Sequence, residues 1–340
     1  MSGIEGFVIA PKPAAHFGVG ALGQLPEVVR ATGAHQVVVV TEAALASTPV
    51  IATVLAVLAD AGITSRLFAG VHPNPTTDDL AAGADAVTQA VADASAEAAA
   101  SASAAAVAAM LKPSALPPPP VPSTFPAAPV PRVALVAVGG RSPIDAAKGI
   151  AIAAVNPQRG PDLDYRGDFA VPALPIVAVP TTAGAETSAF GVVTDPAAHR
   201  KFYVGHTSSM PAAVILDPVL TVSLPPAATA AAGLDAGTHA LESYLSPRAN
   251  PWSDGIALQV IRMVAASLPR ACADGTDLGA RSQMLLAAHM AGVALASTGP
   301  GLCHAIIGHP ELSTTAELMI SYFDPAQGPA GHLMADAFAW

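Results

Sequence analysis

Apolar positions in the first two-thirds of the chain fall into short continuous runs separated by stretches of helical period. HQVVVVT (35–41) is a β-branched run bounded by polar residues, PVIATVLAVLADAG (49–62) has helical spacing, and ITSRLFAGV (63–71) returns to strand character. VALVAVGG (133–140) leads into SPIDAAKGIAIAAV (142–155), and LPIVAVPTTAG (174–184) ends in a Thr/Gly turn. Continuous apolar strands alternating with helices predict a parallel sheet covered on both faces. From about residue 223 the strand signals stop, leaving Ala-, Leu- and Met-rich helix with turns at Pro251, Gly275 and Gly299. The pattern predicts an α/β domain over 1–222 and an all-α domain over 223–340.

Segment 98–132 breaks the alternation. It is Ala/Ser-rich, then Pro-rich, and lies between a predicted helix (81–94) and the strand at 133. Its proline half suits an extended, solvated chain, so the segment reads as an insertion in a surface loop. Its Ala-rich part, 98–110, is too short and too serine-rich to span a membrane.

Composition narrows the function. Of 340 residues, 52% are hydrophobic and only 12% charged, so most of the chain must pack. A net charge of −10 argues against a nucleic-acid partner, which needs a basic surface to meet phosphates. Glu5 stands where a signal peptide would be basic, and the two cysteines, Cys272 and Cys303, form no CxxC. The expectation is a cytoplasmic protein with free thiols and no membrane partner.

Two kinds of site emerge from the residues. Gly139 and Gly140 follow a strand and open a helix that has Pro143 in its first turn, an arrangement suited to a phosphate at the helix N-terminus. PTTAG (180–184) supplies a second loop at a strand's C-terminal edge, and Glu42 follows VVVVT where an acid can bond a ribose 2′-hydroxyl and repel a 2′-phosphate. The second site lies in GLDAGTHALE (233–242), where Asp235, His239 and Glu242 occupy i, i+4 and i+7 on one helix face. Asp235 and His239 are either N/O ligands for a divalent metal or a buried ion pair. His304 and His309 in GLCHAIIGHP favour the metal. His16, His35, His72, His199 and His206 show no such pattern and read as ordinary surface or loop histidines.

These blocks resemble the iron-containing (group III) alcohol dehydrogenases, which share a fold superfamily with glycerol dehydrogenase and dehydroquinate synthase. The resemblance runs through FGVGAL (17–22), VHPNPT (71–76), VGGRSPIDAAKGIA, VPTTAGAETSAFGVVTD, VILDPVLTVSLPP, AAGLDAGTHALESYLSPRANPWSD and GLCHAIIGHP. It implies a Rossmann-like nicotinamide-binding domain, a helical metal-binding domain, and hydride transfer between an alcohol activated by the metal and the nicotinamide. It further implies contacts to NAD, in preference to NADP, from Glu42, Asn74, Gly139, Gly140, Ser142, Asp145, Thr181, Thr182 and Lys201. Asp235, His239 and His304 resemble ligands of Fe(II) or Zn(II), and His309 resembles the histidine beside the nicotinamide. An alcohol or aldehyde substrate and a homodimer follow from the same resemblance.

The chain also departs from that pattern. Arg141 replaces a glycine of the usual GGGS, and the PTTAG–AETS loop is two residues short. His304 and His309 stand at i, i+5 instead of i, i+4, about 140° apart on a regular helix. No Pro-His-Gly segment supplies a fourth ligand, leaving His332 or a reoriented His309, and the helical domain reads as truncated. Gly237 replaces a large apolar residue. Three functional readings therefore stand: a dehydrogenase, a relative that binds nucleotide without efficient turnover, and a lyase of the dehydroquinate synthase kind. HPNPT and LDPVLT favour the first over the third.

Overall fold

A computed structural model of the protein describes residues 13–110, 133–184 and 188–299. Eight strands and eight α-helices are described: β1 Ala14–Phe17, α1 Leu25–Ala31, β2 Gln36–Glu42, α2 Ala43–Ala46, α3 Pro49–Asp60, β3 Thr64–Val71 and α4 Thr77–Met110. They continue with β4 Val133–Gly139, α5 Arg141–Ala153, β5 Ile176–Pro180, β6 Phe190–Asp195, β7 Arg200–Gly205 and β8 Ala213–Leu216, then α6 Pro226–Leu245, α7 Pro251–Ala273 and α8 Leu278–Thr298.

Six strands form one sheet in the order β1-β8-β5-β4-β2-β3, and every neighbouring pair is parallel. Alternation along the strands explains the two covered faces. Val38, Val40, Leu135, Ala137, Ile176 and Ala178 join one core with residues of α4 and α5. Val37, Val39, Val136, Val138, Val177 and Val179 join another with residues of α1 and α3. Each such Val, Leu or Ile buried from water contributes about 1.5–3 kcal/mol, which is why β-branched runs with no polar positions hold the centre of the sheet.

The chain leaves β2 toward the edge strand β3, crosses back to β4 on the other side of β2, and continues outward to β5. Direction therefore reverses between β2 and β4. In open α/β sheets, ligands bind at the strand carboxyl ends beside such a switch point. Glu42 ends β2, Gly139 ends β4, and Gly140 follows it.

The helical region forms a third core, in which Ala236, Ala240, Val260, Met263, Val264, Met284 and Ala288 interlock α6, α7 and α8. Helix α7 is long and apolar enough to cross a membrane by length and composition alone. One side of it, with Ala257, Val260, Met263, Val264 and Ala271, packs into this core. Arg281 is buried and donates to Thr229 Oγ1 (2.7 Å), Leu224 O (3.0 Å) and Gly275 O (3.0 Å), pinning the start of α8 to the approach to α6.

One expectation is revised. The Ala/Ser half of the proposed loop insertion continues α4 to Met110, because alanine is the strongest helix former and nothing before Pro113 interrupts it. Residues 111–132 lie outside the described set. The sequence pattern also missed the antiparallel hairpin β6–β7 and the short strands β1 and β8.

Candidate functional site

The βα turns at the switch point are tied to one another. Gly139 has φ 146°, and a Cβ there would lie 2.7 Å from Pro143 Cγ, so only glycine fits between strand and helix. A Cβ on Gly140 would press on Thr182 Cγ2 at 3.2 Å. Thr181 N–H donates to Gly139 O at 2.8 Å, locking the two loops side by side.

The third loop, VHPNPT, is ordered by Asp79 in the first turn of α4. Thr76 Oγ1 accepts from Asp79 N–H (3.2 Å) while Asp79 Oδ2 accepts from Thr76 N–H (3.0 Å), a reciprocal cap. The same carboxylate accepts from His72 N–H and meets His72 Nδ1 at 2.8 Å. Asn74, at the tip, takes the left-handed conformation (φ 57°) that asparagine tolerates better than most residues. Its backbone N–H donates to Ser142 Oγ (3.2 Å), and its Oδ1 accepts from Lys201 Nζ on β7 (3.0 Å). The hairpin is held over the loop by Thr194 N–H, which donates to Pro75 O at 2.8 Å.

The structure thus gathers Asn74, Gly139, Gly140, Ser142, Thr181, Thr182 and Lys201 into one linked group. Glu42 ends the neighbouring strand, where its register shifts, and is half-buried. Burial pushes its carboxyl above the usual glutamate range. Asp145 differs. It is buried, with Oδ1 accepting from Lys148 Nζ (2.9 Å) and Oδ2 accepting from Val192 N–H (3.0 Å). Lys148 is almost wholly buried and also donates to Phe190 O (2.8 Å). Both oxygens of Asp145 are therefore engaged in fastening α5 to the hairpin, not in facing the loops.

Helix α6 presents Asp235, His239 and Glu242, all buried. His239 Nδ1 lies 3.8 Å from Asp235 Oδ2, so the carboxylate and imidazole share the predicted face. An N/O pair at this spacing suits two ligands of iron or zinc. Arg141, the first residue of α5, is ion-paired to the same Oδ2 of Asp235. Oδ2 of Asp235 thus faces both the His239 ring and the Arg141 guanidinium. His304, His309 and His332 lie outside the described residues, and among the described ones no group of three or more His, Cys, Asp or Glu is arranged to hold a metal.

Sequence reasoning flagged Arg141 but not its partner, because the two are 94 residues apart. It gave no sign of Tyr203. This hydroxyl on β7 is buried without a hydrogen-bond partner among the described residues. Burial raises its pKa and the Glu242 charge raises it further, while Arg141 acts in the opposite sense. A lone tyrosine in a strand carries no motif that would reveal this.

Comparison with known proteins bears on the same regions. The family model described as iron-containing alcohol dehydrogenase matches residues 12–95 and 132–218, skipping 96–131. The model for the C-terminal part of the Fe-containing alcohol dehydrogenase family matches 229–313. A protein named "Probable alcohol dehydrogenase EutG" from Salmonella typhimurium is 44% identical over 178 residues, 52% of this chain and 45% of that protein. The match thus spans under half the length of that relative. NAD-dependent methanol dehydrogenase of Bacillus methanolicus is 32% identical over 298 residues, 86% of this chain and 67% of that one. Among solved structures, 1,3-propanediol oxidoreductase superposes with a TM-score of 0.73 at 29% identity, covering 94% of this chain and 75% of that chain. An alcohol dehydrogenase from Oenococcus oeni gives a TM-score of 0.76 at 25% identity, covering 97% and 77%.

Proposed function

The chain belongs to the iron-containing alcohol dehydrogenase family, and on that premise we propose that it interconverts a small alcohol and its aldehyde or ketone, using NAD and a divalent metal. The observation that carries the reading is the linked set of three loops at the sheet's switch point, joined through Arg141 to the Asp235–His239 face of α6. On this reading the dinucleotide would lie beside the metal-ligand pair, across the junction that Arg141 bridges.

The roles follow from the residues. The N-terminus of α5, opened by Gly139 and Gly140, offers backbone N–H groups to a pyrophosphate. Asn74, Ser142, Thr181, Thr182 and Lys201 supply amide, hydroxyl and ammonium groups around it. Glu42, at the end of the adjacent strand, accepts from a ribose 2′-hydroxyl and disfavours a 2′-phosphate. Asp235 and His239 would hold the metal, Fe(II) or Zn(II), with His304 as third ligand and His309 beside the nicotinamide. When bound, the metal supplies a Lewis acid for the substrate oxygen and the nicotinamide a hydride acceptor.

The occupied state of Asp235 favours a second reading, in which the chain binds nucleotide without efficient turnover. One experiment separates the two. NADH binding is followed by fluorescence, and NADH oxidation by propanal is then measured with added Zn(II) or Fe(II). Binding together with metal-stimulated oxidation supports the dehydrogenase. Binding with no oxidation under any metal supports the second reading, and absence of NADH binding contradicts both.

A further inference from the structure

We propose that Arg141 is a built-in counter-cation that competes with the metal for Asp235 and is drawn off by the dinucleotide pyrophosphate, so that nucleotide binding primes the metal site. This rests on the proposed function and adds a coupling between its two ligands.

Three observations carry it. Arg141 begins α5 directly after Gly140, so its side chain springs from the turn assigned to the pyrophosphate. Its guanidinium nevertheless reaches across the domain junction to Oδ2 of Asp235, the same oxygen that lies 3.8 Å from His239 Nδ1. The Arg141 side chain is 32% exposed, so it has room to reorient, whereas Asp235 is buried at 10% and its charge then calls for another cation in place of the guanidinium.

The chemistry gives the arginine two partners. A carboxylate oxygen engaged by a guanidinium is a poorer donor to a divalent cation, and the two cations repel each other. A pyrophosphate at the α5 N-terminus carries more negative charge than one carboxylate and matches the planar guanidinium fork. Arg141 swinging to it withdraws one cation that competes with the metal at Asp235. Glycine or glutamine at 141 would remove that competitor at all times, and with it the coupling. By reciprocity the metal must tighten nucleotide binding by the same factor.

The test measures Zn(II) affinity by competition with a chromophoric chelator, with and without ADP-ribose, which carries the pyrophosphate and no nicotinamide. Full-length wild type, Arg141→Gln and Arg141→Gly are compared, the two variants guarding against a folding defect in either. Loss of a charge-assisted contact should tighten zinc by about tenfold in both variants without ADP-ribose. ADP-ribose should tighten zinc by a similar factor in wild type and have no effect in the variants. Wild-type zinc affinity in both variants, or an undiminished ADP-ribose effect in them, would overturn the proposal. Adding Asp235→Ala to Arg141→Gln separates this from the site assignment. If that change abolishes zinc binding while the Arg141 variants match wild type, only the competition fails. If zinc binding survives it, the metal is not held at Asp235 and the underlying site reading fails too.

Discussion

Lys201 Nζ donates to Asn74 Oδ1 at 3.0 Å, joining the β6–β7 hairpin to the loop that precedes α4 across 127 residues of sequence. The bond brings a cation to the rim of the switch-point loops and fixes the side chain of an asparagine already in the left-handed conformation. Lys201→Ala should weaken NADH binding by about tenfold through loss of one charge-assisted contact. It should scarcely alter the melting temperature, because Lys201 is only partly buried. A fluorescence titration beside a thermal melt checks both. A large loss of stability with unchanged NADH affinity would make the contact purely structural.

Glu42 should set the preference for NAD. Glu42→Gly is expected to improve NADPH binding relative to NADH by removing repulsion of the 2′-phosphate. Equal affinity of wild type for NADH and NADPH would contradict the assignment. Burial also makes this carboxyl bind its proton more tightly folded than unfolded. Its contribution to stability is therefore present at low pH and lost as pH rises from the ordinary glutamate range through its raised folded value. Glu42→Gln should flatten the melting temperature across that acidic window and raise it at neutral pH.

Asp145 should matter for folding. Asp145→Ala strands the buried Lys148 ammonium without its carboxylate, at a cost of about 3–5 kcal/mol. Denaturant unfolding should show that loss. Wild-type stability with weakened NADH binding would return Asp145 to the nucleotide site.

Gly237 sits inside α6 with room for a methyl group. Among the described residues a Cβ there would meet only Val264 Cγ1, at 3.6 Å, an ordinary contact. Gly237→Ala should therefore stabilise the chain by about 0.5–1 kcal/mol through helix propensity. A lower unfolding midpoint would mean that the backbone there requires glycine.

The legible parts of this protein were those whose pattern is local. Buried parallel strands show as unbroken runs such as VVVV, and α3 shows in Ile51, Val54 and Leu58 on one face. The loops at the switch point were legible because glycine, proline and asparagine mark turns by their own backbone limits. The hairpin was not, since Phe190–Asp195 and Arg200–Gly205 mix exposed and buried positions and take their order from contacts with α5 and the 71–76 loop. The resemblance implied a nucleotide contact for Asp145, whose bonds to Lys148 and Val192 join elements that no local pattern links. The Arg141–Asp235 pair was out of reach for the same reason: each residue carries a local meaning, and only the fold joins them.

Asp235 and His239 should hold a metal beside the nicotinamide site, and metal content measured together with activity shows whether they do. Purified protein is stripped with chelator, reloaded with Zn(II) or Fe(II), and analysed for bound metal while NADH oxidation by propanal is followed. The same is done for Asp235→Ala and His239→Ala. The account predicts that wild type regains both metal and activity on reloading, and that each variant loses both while still binding NADH. Metal retained in full by both variants, or oxidation by stripped protein at the reloaded rate, would contradict it.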